Sequence, residues 1–298
     1  MNDSLDPLLH RPIIVIGAPR SGTTLLGNLL KHHPALAYLE EPRLTWRFGN
    51  DRKSDLLRPE DARPGVRKHI RMSFAKAVRD AGKQRLLEKT PSNALRLGFV
   101  EQVLPGCQFV HIIRDGTESV LSIRKYWQGH AGGMKPHKIA ERLREIDWRR
   151  APHYFKEFLR RAMPRPLAGF VHQPVWGPRI PGIDSLVQEL DLLEVCCLQW
   201  RMCVEMACQY GRQLPSERYF ECRLEDISPE LLEPILEFCQ LDRAPEMSSA
   251  FDRVFDPALL TRRCSQADAQ ELETIRRWIE PTLRWLECPR ATETFQCE

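Results

Sequence analysis

The chain has 298 residues, at the upper end of what one hydrophobic core serves, and this predicts one large domain, or one carrying a substantial insertion, over residues 1–298. Hydrophobic residues at 42% and charged residues at 28% are ordinary globular usage, which excludes a disordered tail, a collagen-like repeat and a membrane bundle. Lys and Arg number 44 against 40 Asp and Glu, and the formal charge of +4 suits an anionic small ligand without calling for nucleic acid.

Met1 to Pro12 carries Asp3 and Asp6 and no apolar run of signal-peptide length. Nowhere do about 18 apolar residues follow one another, so the expectation is a cytoplasmic protein with no transmembrane segment. The ten cysteines include the neighbours Cys196 and Cys197, and Cys203 and Cys208 continue the same helical pattern. They read as reduced, mostly buried thiols rather than a disulfide framework. With no CxxC and no HExxH, no metal site is expected.

Ile13 to Ile16 is a β-branched run between Pro12 and Gly17 and predicts a strand buried on both faces. After the turn Gly17-Ala-Pro-Arg-Ser-Gly-Thr-Thr24, the residues Leu25, Leu26, Leu29 and Leu30 recur at helical spacing until His33 and Pro34. Asp51 to Gly65 reads as a polar surface connection, followed by a helix from about Val66 to Ala81. A strand over Arg85 to Lys89, a helix over Ser92 to Val103, a strand over Phe109 to Ile113 and a helix from about Glu118 to Trp127 follow. Strands alternating with helices predict an α/β fold of three layers with a central parallel sheet.

From Gly129 to Gly182, Gly, Pro and aromatic residues punctuate short helical pieces, the pattern of a largely helical insertion. Between Lys138 and Arg165 nine Lys or Arg stand against four acids, which reads either as a solvated helical face or as a lid over an acidic acceptor. A single long helix is predicted over Leu186 to Tyr210, with Leu186, Leu190, Leu193, Cys197, Trp200, Val204 and Cys208 on one stripe. A strand near Arg218 to Leu224, a helix after Pro229 and a last helix over Ala267 to Leu286 complete the chain.

The chemistry concentrates in the first turn. Gly17 and Gly22 enclose four residues between a strand and a helix and precede Thr23 and Thr24, the spacing of a phosphate-binding loop. A nucleoside-triphosphate enzyme would carry lysine where Thr23 stands. The loop instead carries Arg20, whose planar guanidinium can hold a terminal anionic group.

This loop resembles the 5′-phosphosulfate loop of the sulfotransferases that use 3′-phosphoadenosine 5′-phosphosulfate (PAPS). A second motif is similar too: the strand Phe109 to Ile113, then Arg114-Asp-Gly116, then Ser122 eight residues after the arginine, resembles the family's 3′-phosphate site. His33-Pro34 and Glu40-Glu41-x-Arg43 resemble the protein-tyrosine and bacterial members more than the small-phenol cytosolic ones, and Glu88-Lys89-Thr90-Pro91 resembles the segment whose lysine contacts the sulfuryl group. The resemblance implies a P-loop-type fold, PAPS as donor, no metal, and a hydroxyl acceptor among glycans, tyrosine, lipids and small metabolites. It implies Glu41 as general base, with Arg20 and Lys89 stabilising the transition state. Arg20, Ser21, Gly22, Thr23 and Thr24 would hold the 5′ end of the donor, and Arg114 and Ser122 its 3′-phosphate.

Partial burial is expected to raise the pKa of Glu41 toward the working pH. Asp115 is expected to organise its turn. Trp127 and Trp176-Gly-Pro-Arg179 read either as lining of the acceptor pocket or as packed core. Arg262 and Arg263 fall where the family often places a basic loop over the cofactor, and whether they close over it is left open by the sequence. Cys222-Arg-Leu-Glu-Asp226 is similar to a strand end common in the family, with Arg223 and Leu224 departing from its pattern. Two other readings are a nucleotide-dependent kinase, opposed by Thr23, and a non-catalytic adenosine-bisphosphate-binding protein, opposed by the presence of Glu41 and Lys89.

Overall fold

A computed structural model of the chain describes residues 5–130, 175–255 and 267–287. The basic run 138–165, most of the insertion 129–182, and Arg262 and Arg263 lie outside the described residues.

In chain order the elements are β1 (Ile13–Ile16), α1 (Thr23–Leu30), β2 (Leu36–Glu40), α2 (Arg43–Arg47), α3 (Pro64–Asp80), β3 (Arg85–Lys89), α4 (Leu97–Val103), β4 (Gln108–Ile113) and α5 (Gly116–His130). They continue as α6 (Ile183–Glu189), α7 (Leu192–Gly211), β5 (Tyr219–Arg223), α8 (Pro229–Cys239), α9 (Pro245–Val254) and α10 (Ala269–Glu287). The strands form one sheet in the order β2-β3-β1-β4-β5, and every pairing is parallel. Parallel strands need crossovers, and the helices that supply them cover both faces. On one face Ile14, Ile16 and Phe109 pack under Phe74 of α3, Phe99 of α4, Trp200 of α7 and Ile279 of α10. On the other, Ile13, Val15, Val110 and Ile112 pack under Leu26 and Leu29 of α1, Ile235 of α8 and Phe251 of α9. This is the expected three-layer architecture, and all five strands end at one edge of the sheet.

The structure departs from the sequence reading at several points. β2, α2 and α9 were not expected. The long helix predicted over Leu186 to Tyr210 is two helices, because the backbone turns extended at Leu190 and Asp191 starts α7. The Asp191 N–H donates to Glu194 Oε2 at 3.2 Å, which satisfies one N-terminal donor in place of a continuing helix. Ser92 to Val103 also breaks, into a 3-10 turn (Pro91–Leu95) and α4, where Arg96 leaves helical geometry and turns its guanidinium inward. The stretch Asp51 to Gly65 is not all surface, since Asp55, Leu57 and Ala62 are buried. The described cysteines are buried free thiols, as expected.

Gly17 shows how tightly β1 hands over to the turn. A Cβ there would lie 2.4 Å from the Ile112 carbonyl oxygen and 2.5 Å from Ser21 Oγ. Because one neighbour is backbone of a central strand, Gly17→Ala is expected to cost about 1–3 kcal/mol. Thermal unfolding that shows an unchanged midpoint would mean that the turn relaxes freely.

Candidate active site

The turn after β1 is built for an anion. Gly22 takes φ 99°, a left-handed conformation that suits glycine, and Arg20 sits at φ 70°. The first N–H groups of α1 have no intrahelical acceptor and lie at the positive end of the helix dipole. Ser21 Oγ is buried with no hydrogen-bond partner among the described residues. Thr23 is buried and Thr24 exposed. A cradle of main-chain donors with an unsatisfied hydroxyl beside it fits a phosphate or sulfate group.

Beside the turn, at the end of β3, Lys89 is completely buried. Its Nζ donates to Thr24 Oγ1, Glu40 Oε1 and Glu41 Oε1, each at 3.0 Å. Strand pairing makes this possible, because Lys89 lies opposite Val15 of β1 on one side and Glu40 of β2 on the other. Glu41 follows β2 at φ 52°, and its N–H donates to the Lys89 carbonyl at 2.8 Å. Its second carboxylate oxygen pairs with Arg43 at the start of α2.

The expectation for the acidity of Glu41 is corrected. Burial does push its pKa up, but the Arg43 and Lys89 cations beside it override burial and lower it to about 2.

A second group of residues gathers 94 or more positions apart in sequence. Arg20 Nε donates to Ser122 Oγ of α5 at 3.2 Å, and the Arg114 guanidinium donates to the Arg20 carbonyl at 3.3 Å. Arg114 also lies 3.5 Å from Glu118. The Arg20 guanidinium sits 5.0 Å from the centre of the Tyr126 ring, against which Trp176 packs at 4.5 Å. Arg20 thus leans toward α5 rather than over the turn. Asp115 organises its loop as expected, its Oδ1 accepting the Glu118 N–H at 2.8 Å. Glu225, in the segment after β5, accepts the Asp115 N–H at 2.9 Å, a role no local pattern signals.

Three further residues named in the sequence analysis are placed as follows. Trp127 is buried and its indole N–H donates to Gln199 Oε1 at 3.2 Å, so it belongs to the core rather than to a pocket wall. Arg179 is held by Asp55, with N–H to Oδ2 at 2.9 Å. His33 accepts the Ala35 N–H and meets the Asp242 carbonyl, at the opposite end of α1 from the turn.

Among the described residues, the donor atoms of His111, Cys208 and Glu221 lie close enough together to hold a metal ion, all within 4.8 Å of one another. The Tyr219 hydroxyl already sits among them, 2.6 Å from His111 Nδ1 and 3.0 Å from Glu221 Oε2. Arg212 also forks onto Glu221. Tyr219, Cys208 and Glu221 thus hold His111 through Nδ1 in a hydrogen-bonded network, while its Nε2 is buried with no partner among the described residues.

A model of the sulfotransferase family matches residues 12–168, more than half of the chain. The chain belongs to the sulfotransferase family. The chain is 27% identical over 145 residues to nodulation protein NoeE of Sinorhizobium fredii (strain NBRC 101917 / NGR234), a match covering 43% of this chain and 34% of that protein. It therefore spans about a third of the length of that relative. Two solved structures resemble it across most of the chain. The sulfotransferase domain from the curacin biosynthetic pathway is 15% identical, with 98% of this chain and 95% of that one covered and a TM-score of 0.50. Sulfotransferase STF9 from Mycobacterium avium is 13% identical, with 94% and 78% covered and a TM-score of 0.53. At these identities the likeness is one of fold. No helix among the described residues of the sulfotransferase is long and apolar enough to cross a membrane.

The depressed pKa of Glu41 makes it a stabilising group above the usual glutamate range and a lost one below it. Relative to Glu41→Gln, the wild-type sulfotransferase is expected to lose stability as the pH falls from about 4.5 toward 2. Melting temperatures of the two proteins across that window should converge, and a constant gap would contradict the assignment.

Proposed function

We propose that this sulfotransferase transfers the sulfuryl group of PAPS to the hydroxyl of an acceptor, with release of 3′,5′-ADP. The observation that carries the reading is the Lys89 ammonium, buried between the loop hydroxyl of Thr24 and the carboxylate of Glu41. One cation thereby links an anion cradle to a base.

The cradle of Ser21, Gly22, Thr23 and Thr24 is assigned to the 5′-phosphate and the sulfuryl group, and Arg114 with Ser122 to the 3′-phosphate. Arg20 leaves the loop between these two places and is assigned to the charge that builds on the departing 5′-phosphate oxygen. Reaction then needs an acceptor oxygen in line with the bond that breaks, and a group to take its proton. Glu41 takes that proton as the oxygen bonds to sulfur, and the electron pair of the old sulfur–oxygen bond leaves with 3′,5′-ADP. Glu41 starts as a weak base because two cations hold it down. Lys89, drawn toward the sulfuryl oxygens, removes one of them and raises its basicity when the donor is in place. The reading asks for no metal. Acceptors with an accessible hydroxyl, whether glycan, tyrosine, lipid or small metabolite, meet the chemistry equally.

Calorimetric titration with 3′,5′-ADP, 5′-AMP and ATP, with and without magnesium, tests the donor. Binding of 3′,5′-ADP that needs its 3′-phosphate and ignores magnesium is expected; preference for ATP with magnesium, or no binding, would remove the reading. Arg114→Ala should weaken 3′,5′-ADP by at least about tenfold, the loss of one charge-assisted contact. Glu41→Gln should lower turnover of PAPS by about 10² while leaving 3′,5′-ADP affinity nearly intact. Equal turnover in wild type and Glu41→Gln would take the base role away from Glu41.

A further inference from the structure

Immediately before Lys89, and pointing to the opposite face of the sheet, stands a carboxylate that the proposed chemistry does not use. Glu88 is completely buried, and burial pushes its pKa up to about 7 despite the donors around it. Burying an acid is costly, and a fold that needed only packing there would place an apolar side chain of similar volume.

What the carboxylate does is visible in its partners, which come from separate segments. Glu88 Oε1 accepts the indole N–H of Trp46 at 2.9 Å and the hydroxyl of Thr90. Oε2 accepts the Asn93 amide at 2.9 Å. Trp46 lies in α2, the helix whose first residue, Arg43, pairs with Glu41. Thr90 and Asn93 lie in the turn that leaves β3 directly after Lys89. One side chain therefore ties the segment after Glu41 to the segment after Lys89.

That tie meets a specific need. Glu41 holds a left-handed backbone at φ 52°, a conformation a glutamate keeps only where its surroundings fix it. On one side it is fixed by its N–H on the Lys89 carbonyl, at 2.8 Å. On the other, the backbone N–H of Arg43 closes on the Glu41 carbonyl at 2.6 Å, so the placement of α2 sets the angle. The Trp46 indole on Glu88 joins α2 to β3, with Trp46 also wedged edge-on against Phe74 and Phe99.

We propose that Glu88 is a positioning residue that sets the spacing of Glu41 and Lys89, and so the alignment of base and ammonium, without touching the reactants. The proposal rests on the sulfotransferase reading above. It separates Glu88 from the anion cradle, which hangs on β1 and α1.

The test compares Glu88→Met, which keeps the volume and removes every acceptor, Glu88→Gln, which keeps the oxygen shared by Trp46 and Thr90, and Trp46→Phe, which removes only the indole donor and some volume. Affinity for 3′,5′-ADP is read by calorimetry. Turnover is read as release of 3′,5′-ADP from PAPS with water as acceptor, per folded molecule, so that no acceptor need be known. Glu88→Met and Trp46→Phe should each lower turnover at least tenfold with 3′,5′-ADP affinity within about threefold. Glu88→Gln should recover most of the turnover, and the Glu88→Met/Trp46→Phe pair should be no worse than Glu88→Met alone, as expected of two ends of one contact. If Glu88→Met does not fold, Trp46→Phe and Glu88→Gln decide. Turnover that survives in the folded variants, or that falls in step with 3′,5′-ADP affinity, overturns the positioning role alone. A wild type that binds no 3′,5′-ADP overturns the sulfotransferase reading and this proposal with it.

Discussion

A buried ammonium must find an acceptor for each of its three hydrogens, and at Lys89 this requirement organises everything around it. Thr24, Glu40 and Glu41 supply the three acceptors, from the first turn of α1 and the end of β2. They converge because β3 lies between β2 and β1 in a parallel sheet, so that the carboxyl ends of three strands open at one place. The strand order is therefore not background to the site. An antiparallel β2 would bring its N-terminal end, Leu36, to Lys89 and leave the ammonium without Glu40 and Glu41.

Two halves of the site differ in charge balance. Around Lys89 two cations, Lys89 and Arg43, face two anions, Glu40 and Glu41. Around Ser122 two guanidiniums, Arg20 and Arg114, meet, with Glu118, Asp115 and Glu225 beside them. The first half balances its charges through direct contacts on one buried ammonium, whereas the second sets two guanidiniums side by side. Under the proposed reaction the first would serve the proton transfer and the second a phosphate.

Much of this was legible in the sequence, and the limits have physical causes. The strands β1, β3 and β4 read directly because both faces are buried and their residues are apolar or end in a charged turn. The anion turn reads from the spacing of Gly17 and Gly22, and Gly17 is required there by the approach of the Ile112 carbonyl. β2 escaped notice because Leu-Ala-Tyr-Leu-Glu lacks β-branched residues and, at the sheet edge, Tyr38 and Leu39 are only partly buried. The break at Asp191 escaped because the apolar stripe continues through it. Contacts such as Arg20 with Ser122, or Asp115 with Glu225, join residues more than a hundred positions apart and leave no local periodicity to read. The acidity of Glu41 was expected in the wrong direction because burial was weighed without its cations: Arg43, two positions on, lowers it most, and Lys89, 48 positions away, adds to that.

The absence of lysine at Thr23 now has a structural counterpart. In a triphosphate-binding loop that lysine reaches out of the helix N-terminus over the phosphates. Here the ammonium arrives from the neighbouring strand and meets the loop at Thr24, one residue further on. Moving the cation from the helix to the strand end changes its company. A lysine on the loop would be spaced from its phosphates by the loop alone, whereas Lys89 shares a strand edge with two glutamates and cannot shift without changing what they feel. In the proposed reaction charge stabilisation and proton transfer would thus be coupled through a single side chain, with Glu88 on the other face of the sheet tying together the two segments that carry it.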